Sequence, residues 1–432
     1  MKQIFVIILG WVLKKLSQIT IWRFQPRIIG IAGSVGKTSA KEAIAAVLKD
    51  YYYTRKSAGN LNNELGLPLA IIGDYSEEEL KLVSRSTLAG QKKLKKLIFW
   101  IKVIIFALRR IVFLDNSSYP KVLVLEYAAD RPKDMEKLLK ISQPQIGIIT
   151  AMDQIPSHLE FFSNSEAVAQ EDSRLIESLP ASGFAILNFD SEIVMKMQKQ
   201  TRAQVISFGF SEGADLRITN FQNHSENDKP IGISFKIEYD GHSELVVLKK
   251  IFGKVQQSSA AAIASAVGLI FGLSLTEISK SLSTNYQPAK GRMNLIAGLR
   301  ESYIINDSYN AAPLSMQEAL NTLRDLPAKR KMAILGDMLE LGKHSLEAHE
   351  AIGRLASQIV EILVTVGPLA KSIAQAARVN GLSEDKIFSF NTTNETCPLV
   401  QDLIKKGDLI LVKGSRGIGL EKVVEKIELK NG

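Results

Sequence analysis

A glycine-rich loop between an apolar run and a helical pattern constrains this chain more than any other feature of its sequence. The run at 28–32 is typical of a buried strand, and the segment after the loop is typical of a helix. In this setting backbone N–H groups can approach phosphate oxygens at a helix start, where the helix dipole favours an anion. We therefore predict a phosphate-binding loop made of Gly33, Ser34, Val35, Gly36, Lys37, Thr38 and Ser39.

Two side-chain roles follow from this loop. Lys37 is predicted to reach the terminal phosphates, and the hydroxyl of Thr38 or Ser39 to ligate Mg²⁺. The spacing departs from the common form, because Ile31 stands where the first glycine usually lies. An ordinary glycine turn before a helix is the alternative interpretation. The loop indicates a bound nucleotide without indicating which reaction uses it.

Strand-like runs, among them 145–150 and 183–190, alternate with helical segments along most of the chain, which predicts an α/β fold with a mainly parallel sheet. Residues 214–251 instead alternate like antiparallel hairpins at a sheet edge. A second α/β pattern begins after the Pro- and Gly-containing segment 287–294. The predicted parts are an apolar basic segment 1–27, a central domain 28–292 with a basic amphipathic insert 76–118, and a C-terminal domain 293–432.

The basic residues are concentrated in two short apolar segments. The 432 residues carry a net charge of +9, and residues 1–30 and 91–114 together hold 12 Lys and Arg and no acidic residue. Segments that are both basic and apolar are typical of contact with an anionic membrane surface rather than with nucleic acid. Cys397 is the only cysteine, which excludes an intramolecular disulfide and disfavours a Cys-based zinc site.

The two apolar segments predict different elements. Residues 4–13 are too short to predict a membrane-spanning helix, and no small-residue cleavage site follows them, so a cleaved secretion signal is not expected. Residues 92–114 place most of their basic side chains, Arg110 among them, on one side of a helical wheel, as in a helix that lies in a membrane interface. A core-packed helix with a solvated basic face is the alternative. We predict a cytoplasmic protein that contacts the inner face of the membrane through 1–24 and 91–114, with no nucleic-acid partner.

Further stretches agree with one family. They are GSVGKTSAKE (33–42), GNLNNELGLPLA (59–70), LEYA (125–128), HLEFF (158–162), ILNFD (186–190), KGRM (290–293), NDSYNAAPLSM (306–316), AILGDMLELG (333–342) and LVKGSRG (411–417). In these stretches the chain resembles the Mur ligases, ATP-dependent enzymes that join a carboxylate to an amino acid or dipeptide. It is most similar to the branch that joins a muramoyl tripeptide to D-alanyl-D-alanine.

The resemblance implies both a fold and a reaction. The fold is a central P-loop ATPase domain with a mainly parallel sheet, followed by a C-terminal Rossmann-like α/β domain. The reaction is an ATP- and Mg²⁺-dependent amide ligation of peptidoglycan precursor synthesis. ATP phosphorylates the carboxylate of a muramoyl-peptide acceptor, and the amine of D-Ala-D-Ala then displaces phosphate from the acyl phosphate. Because charge develops on phosphoryl oxygens, cations are expected to dominate catalysis.

The resemblance also implies site residues. Lys37 and Thr38 would hold the phosphates and the first Mg²⁺, and Glu126 and His158 would serve the metal sites. Nucleotide contacts are implied for Asn188, Arg292, Asp307, Tyr309 and Asn310. Contacts to the acceptor or the amine are implied for Asn60, Asn62, Asn63, Lys413, Ser415 and Arg416, with a solvated turn as the alternative for the last three.

The chain departs from the family pattern in three places. Val255 and Ser259 stand where the family has a His and an Asn near the nucleotide, and Ala312 replaces a usual Asn or His. Asp172 stands where the family has a carbamylated lysine, so a carboxylate on a short side chain would replace one on a long side chain. The alternative is that the alignment is shifted by one residue and Glu171 is the functional partner. Fewer than 30 residues precede the phosphate loop, so the family's N-terminal domain that grips the UDP-sugar is expected to be absent. These departures leave two alternatives: the same chemistry on a different, lipid-linked acceptor at the membrane, and a non-catalytic nucleotide-binding scaffold.

Overall fold

The computed structural model describes residues 2–59, 61–83, 93–113, 115–153, 155–156, 159–226 and 229–429. Two predicted site residues, Asn60 and His158, lie outside these ranges, as do the two ends of the basic segment 91–114.

Within the described residues, nine strands form one sheet in the order β2-β3-β1-β4-β5-β6-β7-β8-β9. The first seven in this order are parallel, and the last two are added antiparallel at one edge, as the alternation over 214–251 predicted. The strands are β1 (Arg27–Ala32), β2 (Thr54–Lys56), β3 (Val122–Glu126), β4 (Ile146–Ile149), β5 (Phe184–Asn188), β6 (Gln204–Gly209), β7 (Leu216–Glu226), β8 (Lys229–Tyr239) and β9 (His242–Lys249).

Helices cover both faces of this sheet, which is why its central strands are apolar on both sides. In β1, Ile29 and Ile31 pack into one core cluster, whereas Ile28 and Ala32 pack into the cluster on the opposite face. The helices of this part are α1 (Lys2–Phe24), α2 (Lys37–Leu48), α3 (Gly66–Ile72), α4 (Glu77–Val83), α5 (Lys93–Phe113), α6 (Asp134–Leu139), α7 (Ser165–Glu177), α8 (Glu192–Lys196), α9 (Lys254–Ile270) and α10 (Leu275–Asn285).

A second sheet of six strands, again counted over the described residues, has the order β10-β11-β15-β12-β13-β14 and is parallel except for β10. The strands are β10 (Asn294–Gly298), β11 (Ser302–Asp307), β12 (Arg330–Gly336), β13 (Ile362–Val366), β14 (Ile387–Phe390) and β15 (Asp408–Lys413). The helices are α11 (Pro313–Asp325), α12 (Ser345–Ser357), α13 (Lys371–Val379), α14 (Thr393–Leu403) and α15 (Glu421–Ile427). Both parts of the predicted fold class are therefore confirmed.

The two halves of the molecule share apolar packing. One core cluster runs from Ile263 on α9 through Met293 to Met316 on α11, so it continues from the first sheet into the second. The carboxyl ends of the parallel strands carry the predicted site residues in each half. The contact between the halves therefore decides how the two sets of residues meet.

The two basic apolar segments form helices that pack on protein as well as exposing apolar side chains. Leu13 on α1, Leu69 on α3 and Val103 on α5 belong to one buried cluster. The expectation that Arg110 lies on the solvated basic face is wrong, because its guanidinium donates to the carbonyl of Ile72 at 2.7 Å. Among the described residues, none of the helices is both long and apolar enough to cross a membrane.

Candidate active site

The phosphate loop lies at the carboxyl end of β1, where glycines allow a tight path into α2. Gly33 has a φ of 122° and Gly36 a φ of 94°, both in the region that favours glycine. The backbone N–H of Ser34 donates to the carbonyl of Ala151 at 2.9 Å, which fixes the loop against the end of β4. The predicted strand, loop and helix are all present, so the glycine turn opens a helix as phosphate binding requires.

Thr150 braces this loop from the neighbouring strand. Its hydroxyl donates to the carbonyl of Val35 at 2.6 Å. A Cβ built on Gly33 would lie 2.4 Å from the same hydroxyl oxygen, so any side chain at Gly33 would collide with Thr150. The loop shape is therefore set by packing against Thr150 as well as by glycine freedom.

The side chains of the loop differ in where they lie and what they contact. Lys37 bends back, and its ammonium donates to the carbonyl of Gly33. Ser39 is buried, and its hydroxyl accepts from the side chain of Gln256 on α9 at 3.4 Å. Thr38 is only half-buried. Of the two hydroxyls considered for Mg²⁺, the geometry therefore favours Thr38.

Glu126, at the end of β3, is buried and paired with a lysine that sequence reasoning did not single out. The Nζ of Lys41 lies 2.7 Å from Oε1 of Glu126, and both side chains are almost fully buried. Lys41 lies one helical turn after Lys37 on α2, so the i, i+4 spacing could have indicated a second inward-facing cation. The pair brings a compensated carboxylate close to the phosphate loop.

A small cavity of about 70 Å³ lies beside the loop and brings together residues from distant parts of the chain. Gly33 and Lys37 line it from the loop, and Asp130 lines it from the segment after β3. Asp172 on α7 and Asn310 from the second half complete the wall. Three predicted stretches thus meet at one point, and Asp130 is an addition that the sequence analysis missed.

The structure separates Asp172 from its neighbour Glu171. Both side chains are buried on α7, but they face different partners. Glu171 accepts a hydrogen bond from the backbone N–H of Met135 at 2.9 Å and lies 3.4 Å from the guanidinium of Arg174. Asp172 instead lines the phosphate cavity. The geometry therefore favours Asp172 over the alternative register.

At the carboxyl edge of the second sheet, Lys413 forms a buried ion pair with Asp307. Its ammonium contacts the Asp307 carboxylate and also donates to the carbonyl of Asn310 at 3.0 Å. Burial lowers the pKa of Lys413, and Asp307 opposes that shift. The solvated-turn alternative is wrong for Lys413, because its side chain is only 1% exposed.

A second acidic group, Glu318 on α11, shares the electrostatic environment of this pair. Burial raises the pKa of Glu318 to about 7, with Lys413 opposing the shift and Asp307 adding to it. One ammonium can compensate only one carboxylate fully in a poorly solvated site. Glu318 is therefore the carboxylate of this cluster whose pKa is raised toward neutral pH. Sequence reasoning missed it because it sits inside a regular helix.

Tyr309 lies between two predicted site arginines. The guanidinium of Arg292 is 4.5 Å from the centre of its ring, and that of Arg416 is 5.4 Å away. Arg416 also donates to the Tyr309 hydroxyl at 3.2 Å. The three residues come from separate stretches, and the structure brings them together as a stack.

One hydrogen bond joins the two edges directly. Asp153, in the segment after β4, accepts from the backbone N–H of Leu314 at 2.8 Å. Leu314 lies in the first turn of α11, so a carboxylate from one half caps a helix of the other. The sequence does not indicate this contact, because the partners are 161 residues apart.

Other predicted site residues form hydrogen bonds with neighbouring backbone groups of the protein. The side-chain oxygen of Asn63 accepts from Gly66 at 2.9 Å at the start of α3, and that of Asn188 accepts from Asp190 at 3.0 Å after β5. Asn62 holds the segment after β3 through its backbone carbonyl, which accepts from Ala128. The hydroxyl of Ser415 accepts from Leu339 at 3.0 Å. These contacts leave the substrate roles of Asn62, Asn63 and Ser415 as predictions.

Within the described ranges there is no group of three His, Cys, Asp or Glu side chains that could by itself hold a divalent cation. Mg²⁺ bound with a nucleotide takes most of its ligands from phosphates and water, with one or two protein oxygens. The Thr38 hydroxyl and the Glu126 and Asp172 carboxylates are oxygen donors of that kind, so the chemistry of this set fits Mg²⁺.

Comparison with known proteins identifies two domains of one family. Residues 108–266 match the Mur ligase middle domain, and residues 291–416 match the Mur ligase glutamate ligase domain. The UDP-N-acetylmuramoyl-tripeptide–D-alanyl-D-alanine ligase of Bacillus subtilis is 27% identical over 417 residues, which cover 96% of this chain and 79% of that protein.

Solved structures have the same fold. MurF from Acinetobacter baumannii matches with a TM-score of 0.74 and 25% identity, over 96% of this chain and 79% of the other. MurF ligase from Thermotoga maritima, solved in complex with ADP, matches with a TM-score of 0.76 and 24% identity, over 96% and 83%. Both halves of the described fold therefore occur in one arrangement in known proteins.

Proposed function

Because the chain belongs to the Mur ligase family, we propose that it is the ATP-dependent ligase that joins the carboxylate of a muramoyl-peptide acceptor to D-Ala-D-Ala in peptidoglycan precursor synthesis. The cavity at which Lys37, Asp172 and Asn310 meet is the observation that carries the proposal. A phosphate-binding loop in contact with a second domain suits a reaction in which a phosphoryl group must be passed to a second substrate.

The loop residues bind and orient ATP. The backbone N–H groups at the start of α2 would face phosphate oxygens, and Lys37 would leave the carbonyl of Gly33 to reach the terminal phosphates. Thr38, Glu126 and Asp172 would hold Mg²⁺, which when bound neutralises charge that develops on the phosphoryl oxygens. Lys41 keeps the buried Glu126 carboxylate compensated before the nucleotide arrives.

The second edge supplies the contacts to the base and to the reacting groups. Arg292 and Arg416 surround Tyr309 and present positive charge at the junction of the two halves. Lys413 is held in place by Asp307 and by the carbonyl of Asn310. It therefore stabilises the segment that lines the phosphate cavity rather than moving freely as a surface lysine would.

The test is phosphate release with ATP, Mg²⁺, D-Ala-D-Ala and UDP-N-acetylmuramoyl-tripeptide, with the product mass measured. The proposal predicts release that needs both substrates and a product mass that corresponds to the pentapeptide. Lys37→Ala is expected to lower turnover by ~100-fold or more, because an electrostatic contact to the transferring phosphoryl group is lost. Lys49→Ala, at the exposed end of the same helix, is the matched control.

The Asp172 assignment has its own test. Asp172→Asn keeps the shape and removes the charge, so it is expected to weaken Mg²⁺-dependent turnover. Glu171→Gln, one residue earlier on α7 and turned toward Met135, is the control that tests α7 stability alone. Equal loss of turnover in both variants would show that α7 is only structural. A large rise in turnover of Asp172→Lys with bicarbonate would show that the native site is impaired.

A second candidate is the same ligation on a lipid-linked acceptor at the membrane. The apolar side chains exposed on α1 and α5 favour it, and they also support a cytoplasmic protein that is peripheral on the inner face of the membrane. Retained ATP binding without turnover of the UDP substrate, followed by turnover of an acceptor presented in bilayers, would select this candidate. ATP binding without turnover of either acceptor would indicate a non-catalytic scaffold.

A further inference from the structure

The outward face of α1 is apolar although it faces away from the protein core. Leu9, Leu13 and Leu16 form its buried side. The opposite side carries Trp11 and Trp22, which are 61% and 75% exposed. A helix packed on a globular domain ordinarily presents charged and polar residues to water on that side.

The outward face of α5 has the same character over its whole length. Phe99, Trp100 and Val103 face the protein core. Most of the exposed apolar residues, but not Phe106 and Phe113, recur at the spacing of one helical face, opposite the buried one. Those in this row are Leu94, Leu97, Ile98, Ile101, Ile105, Leu108 and Val112.

The two faces belong to helices that touch each other and share one buried cluster with α3. Exposed apolar patches beyond a few hundred Å² are rare on monomeric proteins and mark a binding surface. Lys95, Lys102 and Arg109 are exposed alongside the apolar row of α5, and Lys15 lies within that of α1. Lys102 also forms an ion pair with Glu79 on α4, so its ammonium lies beside the apolar row of α5.

We propose that α1 and α5 together dock this protein on the surface of an anionic lipid bilayer, with both helices lying in the interface rather than crossing it. The occupant is a lipid surface because apolar rows flanked by Lys and Arg match acyl chains flanked by anionic headgroups. The two segments contain no acidic residue, which is the charge complementarity this partner requires. The proposal names the partner of the membrane-peripheral location given above, but it does not depend on ligase activity.

The position of the tryptophans makes the proposal measurable. Trp11 and Trp22 are exposed, whereas Trp100, the third tryptophan of the chain, is buried. Vesicles of phosphatidylcholine with phosphatidylglycerol are added to the full chain in the absence of ATP and substrates. The emission of Trp11 and Trp22 is expected to shift to the blue, and brominated lipids are expected to quench it.

Vesicle flotation with variants measures the binding itself. Ile101→Glu and Ile105→Glu each place a charge in the exposed row without touching the core, and each is expected to weaken binding by about tenfold or more. Val379→Glu, at an exposed valine on α13, is the matched control and is expected to float like the unchanged protein. Salt is expected to weaken binding to anionic vesicles.

Two results would overturn the proposal. The first is a protein that neither floats with anionic vesicles nor shifts its tryptophan emission, which would leave the face to a protein partner. The second is equal binding to pure phosphatidylcholine, which would remove the role of the basic residues. Because these measurements use no ATP, loss of ligase function cannot produce either result.

Discussion

The carboxyl edges of the two sheets build their parts of the site in different ways. The first edge depends mainly on its backbone, through a loop whose glycines adopt positive φ and whose Ser34 N–H bonds to the carbonyl of Ala151. The second edge depends mainly on side chains, through a buried ion pair, a glutamate whose pKa is raised and a tyrosine between two arginines. The two edges have similar parallel strands, so the difference lies in the residues that follow the strands.

The two edges are expected to tolerate different substitutions. A backbone loop is damaged by a single added methyl group, because its conformation and spacing are the functional property. A buried charge cluster is damaged by removing one partner, because the remaining charge is left without compensation. Each prediction below tests one side of this difference.

Gly33→Ala is expected to have the largest effect. The added Cβ would meet the Thr150 hydroxyl at 2.4 Å in a backbone conformation with a φ of 122°, so the loop must change shape. We expect ATP binding, measured by calorimetry, to weaken by ~100-fold or more. Gly36→Ala, in the same loop with a φ of 94° and the Cβ of Thr150 3.7 Å from the added Cβ, separates backbone strain from collision. Similar losses of ATP binding in both variants would contradict the role of the Thr150 brace.

Lys413→Met tests the buried pair at the second edge. It leaves Asp307 without its ammonium, so the free energy of unfolding in urea is expected to fall by ~3–5 kcal/mol. Lys406→Met breaks an exposed pair with Glu301 in the same half, and its cost is expected to stay below ~1 kcal/mol. Adding Asp307→Asn to Lys413→Met is expected to restore part of the loss. Equal costs for the buried and exposed single variants would refute the comparison.

Glu318→Gln tests the raised pKa of this glutamate through its pH dependence. The pKa is raised from 4.5 in the unfolded chain to about 7 in the folded one, so the folded protein binds the extra proton and loses stability as pH rises through this window. The glutamine variant keeps a neutral side chain at every pH. Its advantage in free energy of unfolding is expected to be near zero at pH 4.5 and to grow to ~2–3 kcal/mol by pH 8. A constant difference between these pH values would contradict the assignment.

Asp153→Ala tests the hydrogen bond between the two edges and has the smallest expected effect. Loss of a helix cap costs ~1 kcal/mol. Thr392→Ala removes a cap at the start of α14, wholly within the second half, and serves as the control. Only Asp153→Ala is expected to raise the radius of gyration in small-angle scattering, since only that cap joins the halves. An equal radius in both variants would show that the apolar packing alone holds them together.

Much of the fold could be predicted because its strands are long apolar runs. The runs at 145–150 and 183–190 became β4 and β5, since a strand buried on both faces leaves an unmistakable pattern. β2 and β10 were not predicted. β2 is a three-residue edge strand of polar and basic residues, and β10 is an edge strand that is mostly only partly buried, so neither has the apolar run of a central strand.

The site could be predicted where a motif is local and not where partners are distant. The phosphate loop occupies seven consecutive residues, so its strand, turn and helix are all readable together. Lys41 and Glu126 are 85 residues apart, and Asp153 meets Leu314 across 161, so neither contact has a sequence signature. Arg110 was misplaced because a helical wheel does not show which neighbouring carbonyl a long side chain can reach.

The strand order of the first sheet also dictates when the phosphate loop can form during synthesis. β1 occupies the middle of the sheet, yet Arg27 pairs with Val122 and Ile29 with Ile146. The loop therefore leaves the ribosome about 100 residues before the strands that hold it, and chains with such distant pairing fold slowly with apolar surface uncovered. α1 is made before that interval and α5 within it. A nascent chain that rested these helices on a bilayer would be protected from aggregation until β4 arrived.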